Sequence, residues 1–231
     1  MHSTAPVAAL LFDFDGTLWD CEPLVFQAYD EYFQQHGHRM SVAAWSRMIG
    51  TLSLSPWRYL EELTGGPVDH RAADEAVERR KTALLATGMA RAGVHRFVAE
   101  ADAMGLRRAI VSNSHRDWIA RYSAQCGIHE GWELIESADG DSGRAKPAPF
   151  LYFSAVARLG VHPDRIVAFE DSLVGVRAAK LAGVRCVAVA GTLTGDVDFG
   201  EADARIEQFD QWEPRALLEQ LGASAAITNQ R

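Results

Sequence analysis

Residues 7–12 form an unbroken apolar run, VAALLF, which reads as a strand buried on both faces. From about residue 22 to 92 the pattern becomes helical. Leu24, Ala28, Tyr32 and Phe33 share one helical face, and Trp57, Leu60 and Leu63 share another. The stretch 69–87 is rich in Ala, Glu and Arg, which are mostly good helix formers. No strand is expected in this region. After Gly93 strand and helix patterns alternate. Helices are expected at about 94–104, 117–126, 150–159, 173–182 and 214–221, and Gly105, Gly127, Gly160 and Gly183 close the first four. Strands are expected at 108–111, 134–135, 165–169, 184–190 and 204–206. The tail 222–231 is small and polar and is expected to fray.

Strands separated by helices of this length predict an α/β fold with a doubly wound parallel sheet. The helical block after the first strand cannot belong to that sheet. It is read as an inserted α-helical cap, residues 20–92, within a discontinuous core of residues 1–19 and 93–231. Such sheets bind ligands beyond the carboxyl ends of their strands.

Composition narrows the picture. The 231 residues carry 23 Lys+Arg against 31 Asp+Glu, a net charge of −8, which argues against nucleic acid as a partner. The triplet Arg79-Arg80-Lys81 reads as a solvated helix face. No apolar run approaches the roughly 18 residues of a membrane helix, and the apolar run at 7–12 is too short for a secretory signal. Cys21, Cys126 and Cys186 are widely spaced and odd in number, as suits a reduced, cytoplasmic protein. A monomer or weak dimer is expected.

The chemistry-bearing residues gather at expected strand ends. Asp13 and Asp15 are i and i+2 of an extended segment, so they point the same way. Two such carboxylates are either solvated acids at a strand exit, or a pair that persists with a cation between them or with one of them protonated. Gly16 permits a tight turn and close approach of an anion. Ser112, Asn113 and Ser114 suit either a helix cap or a phosphate nest. Lys146 stands alone before Pro147, which biases it towards extended backbone; a lone lysine is also compatible with plain surface. Glu170 and Asp171 follow another strand, as helix-cap and exposed acids or as oxygen ligands for a hard divalent cation.

In this order the motifs resemble those of the haloacid dehalogenase-like superfamily of phosphotransferases. They are Asp13-Phe-Asp-Gly-Thr17, Val111-Ser-Asn113, Lys146-Pro-Ala-Pro149 and Phe169-Glu-Asp-Ser-Leu-Val-Gly-Val176. The resemblance runs from Leu10 to about Phe209, and the helical insertion matches the subgroup with an α-helical cap. It implies a Mg²⁺-dependent phosphatase acting on a small-molecule phosphomonoester, a sugar phosphate or similar metabolite. Asp13 would be the nucleophile, forming an aspartyl-phosphate, and Asp15 the acid and then the base. Lys146 would neutralise charge shared by nucleophile and phosphate. Gly16, Ser112 and Asn113 would bind the phosphoryl oxygens. Mg²⁺ would be held by Asp13, the main-chain carbonyl of Asp15, and Asp171, with Glu170 direct or through water.

Glu22, Trp19, Trp45, Trp57 and Arg58, with His115 and Arg116 on the core, are candidates for contacting the rest of the substrate. The acid at Asp15 counts against the family's dehalogenase and phosphonate-hydrolase branches. The alternative of a β-phosphoglucomutase-like hexose-phosphate mutase is disfavoured by Val25, where such mutases usually carry His. A remote alternative is a receiver module that accepts a phosphoryl group without turnover. Nothing read from the residues alone picks out the substrate.

Overall fold

In the computed structural model, residues 6–51 and 54–227 are described. Six strands form one wholly parallel sheet in the order β3-β2-β1-β4-β5-β6. The strands are β1 (Ala9–Phe12), β2 (Arg107–Ser112), β3 (Leu134–Ser137), β4 (Ile166–Glu170), β5 (Arg185–Val189) and β6 (Ala204–Ile206). The expected doubly wound α/β architecture is what the chain adopts.

Alternation along each strand sorts the sheet's two faces. One face carries Leu10, Phe12, Ile110, Phe169 and Val187, packed against α5 (Val94–Ala103), α6 (Arg116–Gln125) and α9 (Pro214–Ile227). There Phe12 stacks on Phe169 with centroids 4.9 Å apart, and Phe97 and Phe209 close round them. The other face presents small side chains, Ala9, Ala109, Ala168 and Ala188, beneath α7 (Phe150–Leu159) and α8 (Leu173–Leu181).

Between β1 and α5 lie four helices, α1 (Glu22–Gln35), α2 (Val42–Met48), α3 (Pro56–Thr64) and α4 (His70–Leu85), in the region expected to hold no strand. They enclose an apolar cluster of their own, centred on Phe33, Trp45, Trp57, Leu60 and Val77. Leu63 does not join it: α3 ends at Thr64 with Gly65 in a left-handed cap, which leaves Leu63 exposed at the helix end. The two connections to this block run side by side, with Asp20 N–H donating to Met89 O at 3.1 Å and Arg91 N–H to Leu18 O at 2.9 Å.

The boundaries differ from the sequence reading in three informative places. β2 runs on to Ser112 and β4 to Glu170, so both side chains leave from paired strand positions and not from loops. α9 extends six residues beyond the expected stop at Leu221, through a run rich in Ala, where fraying was expected. Residues 228–231 of that tail lie outside the described residues.

Candidate active site

The strand order reverses at β1, and the catalytic candidates collect beyond its carboxyl end. Pairing of Phe12 with Phe169 places Asp13 beside Glu170, and Asp13 N–H donates to Phe169 O at 2.9 Å. Gly16 then turns the chain at φ 76°, and a Cβ there would collide with the Asp171 carboxylate. Glycine is therefore required twice over, for the backbone angle and for the space. Asp171 does not cap α8; Ser172 does, its Oγ accepting from Gly175 N–H at 3.2 Å.

Lys146 is buried at the centre. Its Nζ donates to Asp13 Oδ1 at 2.5 Å, to Glu170 Oε1 at 2.6 Å and to Val111 O at 2.7 Å, which uses all three ammonium hydrogens. Tyr152 Oη donates to the same Glu170 oxygen at 2.5 Å. Burial alone would push the Lys146 ammonium down; the Asp13 and Glu170 carboxylates push it up by more, so it stays charged. The lone lysine of the sequence is thus core, not surface.

One oxygen from each of Asp13, Glu170 and Asp171 lies within 4.8 Å of the others. Burial, above all, raises the carboxyls of Asp13 and Asp171. Among the described residues, no donor reaches the buried Glu170 Oε2. Three buried acids beside one ammonium leave an excess of negative charge when ionised. An all-oxygen set of this kind fits a hard divalent cation, which would supply the missing charge. The Asp15 carboxyl is not one of the three. It turns away and accepts from Trp118 Nε1 at 2.8 Å, from Cys21 Sγ at 3.6 Å and from Ser114 Oγ. Burial still raises it, against the lowering by those hydrogen bonds.

Ser112 is buried, with its Oγ accepting from Ser114 N–H at 3.1 Å. The Asn113 side chain is committed elsewhere. Its Oδ1 accepts from Lys146 N–H at 2.8 Å, and its Nδ2 donates to Lys146 O and, across to the inserted helices, to Gly50 O at 3.2 Å. Of Asn113, only the main chain remains for an anion.

Above these groups is a cavity of about 390 Å³, roofed by Glu22, Val25, Ile49, Gly50 and Lys81. Glu22 is pushed up to about 7, by burial first and by Asp15 second, while Trp45 Nε1 donates to it at 3.2 Å. His115 also lines the cavity. Trp19, Trp57 and Arg58 do not. Trp19 is buried and stacked on Tyr122 at 3.9 Å, and Trp57 lies in the helical block's own core, bonded to Asp74. Arg58 is exposed, and Arg116 is exposed at the start of α6 with its N–H on Asp139. Trp45 does not line the cavity either; it packs in the helical block's core and donates to Glu22, which does.

The sequence reading passed over Lys81, Trp118 and Arg91. Lys81 had been assigned to a solvated face, yet it is 15% exposed and lies 5.7 Å from the centroid of Trp118. The signal was present: Ala73, Val77 and Leu85 form the buried stripe of α4 at four-residue steps, and Lys81 fills the vacant step. Arg91 is buried and donates to Gly16 O at 2.7 Å and to Val189 O at 3.2 Å, bracing the turn after β1.

The chain is similar to known proteins over most of its length. The family of haloacid dehalogenase-like hydrolases matches residues 7–183. YhcW of Bacillus subtilis, provisionally called a phosphatase, is 35% identical over 218 residues, covering 94% of this chain and 99% of its own. Protein CbbY of Cereibacter sphaeroides is 34% identical, covering 88% and 93%. A crystal structure of a CbbY mutant from Rhodobacter sphaeroides, in complex with xylulose-(1,5)bisphosphate, superposes with a TM-score of 0.70 at 30% identity, over 88% of this chain and 95% of that one.

Proposed function

The chain belongs to the haloacid dehalogenase-like hydrolase family, and on that footing we propose that it is a Mg²⁺-dependent phosphatase of a small phosphorylated metabolite. The observation that carries the reading is the convergence of Asp13, Lys146 and Asp171 on the floor of a roofed cavity, with Asp15 beside them and Glu170 buried behind Lys146.

Asp13 is the nucleophile. Its Oδ1 is fixed by Lys146, so the carboxylate is held in one orientation towards the cavity. As its oxygen bonds to phosphorus, the ester P–O bond breaks and the electron pair leaves with the alcohol oxygen, which takes a proton from Asp15. In the second step Asp15 recovers a proton from water as that water displaces Asp13 from phosphorus. The main-chain amides after β1 and β2 donate to the phosphoryl oxygens, and the charge of Lys146, held against Asp13, offsets the negative charge that nucleophile and phosphate share. Mg²⁺, held by Asp13, Asp171, Glu170 and the Asp15 carbonyl, would supply further positive charge at the phosphoryl group. The block 20–92 acts as a lid, and a cavity of this size suits a metabolite and not a phosphoprotein. Val25 lines the cavity with an apolar side chain, which favours water as the final acceptor over a sugar hydroxyl activated from that position.

The test is a panel of phosphomonoesters with purified protein. Chelator should abolish turnover and Mg²⁺ restore it, and Asp13→Asn should form no phosphoenzyme and lose on the order of 10⁴-fold or more in activity. Full turnover in excess chelator would falsify the metal assignment. Conversion of hexose 1-phosphate to hexose 6-phosphate with little free phosphate would move the protein to the mutase branch.

A further inference from the structure

Trp118 belongs to none of the four motifs, yet it makes the closest nitrogen contact to Asp15. Resting on the phosphatase reading above, we propose that Trp118 is a positioning residue that holds the Asp15 carboxyl by Oδ1, so that Oδ2 is the oxygen left free to exchange a proton with the leaving group.

The argument is a count of lone pairs. A carboxylate oxygen accepts at two positions. Both positions of Asp15 Oδ1 are taken, by Trp118 Nε1 at 2.8 Å and Cys21 Sγ at 3.6 Å. Oδ2 has one contact, Ser114 Oγ, and keeps one position open. Oδ2 is therefore the oxygen from which a proton can pass to the leaving group. As the ester bond breaks, that proton passes to the alcohol oxygen and the O–H bonding pair stays on Oδ2.

The donor itself cannot swing. Trp118 meets Tyr122 edge-on at 4.6 Å and Trp19 at 5.7 Å, and Trp19 stacks on Tyr122 at 3.9 Å. This column is anchored by Trp19, which is fully buried. Lys81 of α4 stands over the same indole, so the aligned ring and the seated roof belong to one arrangement. Removing the N–H while keeping a ring frees one position on Oδ1 and lets the carboxyl turn or carry its proton on the wrong oxygen.

The experiment compares kcat/KM for p-nitrophenyl phosphate, whose leaving group needs no proton, with that for glycerol 3-phosphate, whose leaving group does. Trp118→Phe should lower the second by about 10-fold or more and the first by less than about 3-fold. Asp15→Asn should show the same split, larger. Equal losses on both substrates, or no loss on either, would overturn the role. In protein carrying ¹⁵N-indole tryptophan, the Trp118 Nε1–H resonance should move upfield in Asp15→Ala; an unmoved resonance overturns the contact, and this reading holds even where Trp118→Phe fails to fold. Wild-type protein that releases phosphate from no ester of the phosphomonoester panel, these two included, refutes the phosphatase reading, and the role with it, while the resonance still reports on the contact.

Discussion

Two lysines face the same cavity from opposite sides, and they are held in different ways. Lys146, on the floor, spends every ammonium hydrogen on Asp13, Glu170 and Val111 O. Lys81, in the roof, has one carboxylate, the exposed Glu78 at 2.6 Å, and the face of an indole on the far side of the seam. A lysine without spare donors sets the position and charge of its neighbours. A lysine with donors in hand can meet a ligand. On the proposed reading the floor serves the reaction and the roof the choice among substrates, and the boundary between them runs through Asn113, which bonds to Lys146 on one side and Gly50 on the other.

The largest expected effect comes from attacking the floor. Lys146→Met leaves the buried carboxylates of Asp13 and Glu170 without their ammonium. Activity should fall by about 10³-fold or more, and the fold should lose about 3–5 kcal/mol in urea unfolding, the usual cost of stripping one partner from a buried pair. A Lys146→Met variant that unfolds at the wild-type midpoint would mean the floor is not the fixed half.

Lys81→Met sharpens the contrast. It should leave the unfolding free energy within about 0.5 kcal/mol of wild type, because Glu78 is largely exposed and solvent screens the pair, and Met keeps the apolar stem of Lys81. It should raise KM for the preferred substrate by about 10-fold with a smaller change in kcat. A loss confined to kcat would place Lys81 with the floor.

The smallest effect is expected at Glu22. Burial raises its folded pKa to about 7 from an ordinary value near 4.5, so the folded state favours the protonated form. Stability is therefore unaffected below pH 4.5 and declines as pH rises from there to about 7. Glu22→Gln should melt a few degrees above wild type at pH 8 and match it near pH 4, by thermal scans across that range. Equal melting temperatures at both pH values would show that Glu22 titrates normally.

Much of this was legible in the residues because it lies along short stretches of chain. Asp13 and Asp15 are two positions apart at the end of an apolar run, and Glu170 and Asp171 close another. What was hidden depends on distance in sequence. Lys81 and Trp118 belong to different halves of the fold, and only tertiary packing brings the ammonium over the ring. The triplet Arg79-Arg80-Lys81 disguised the exception, since Arg80 does what such a run usually does and pairs with exposed Glu31. Trp19 erred in the opposite direction. Its place beside the nucleophile loop suggested a substrate contact, but its bulk is needed beneath Tyr122.

The paired connections at Asp20–Met89 and Leu18–Arg91 have a consequence for inheritance. A segment whose ends are hydrogen-bonded neighbours is, to the rest of the chain, an ordinary hairpin excursion of arbitrary length. Its loss or replacement reroutes no strand, and lengthening a loop by a factor of two adds only about 0.6 kcal/mol of closure entropy. A lineage can therefore exchange the whole stretch between those bonds, or a designer can graft another in its place, while the sheet and the residues at its carboxyl edge keep their addresses.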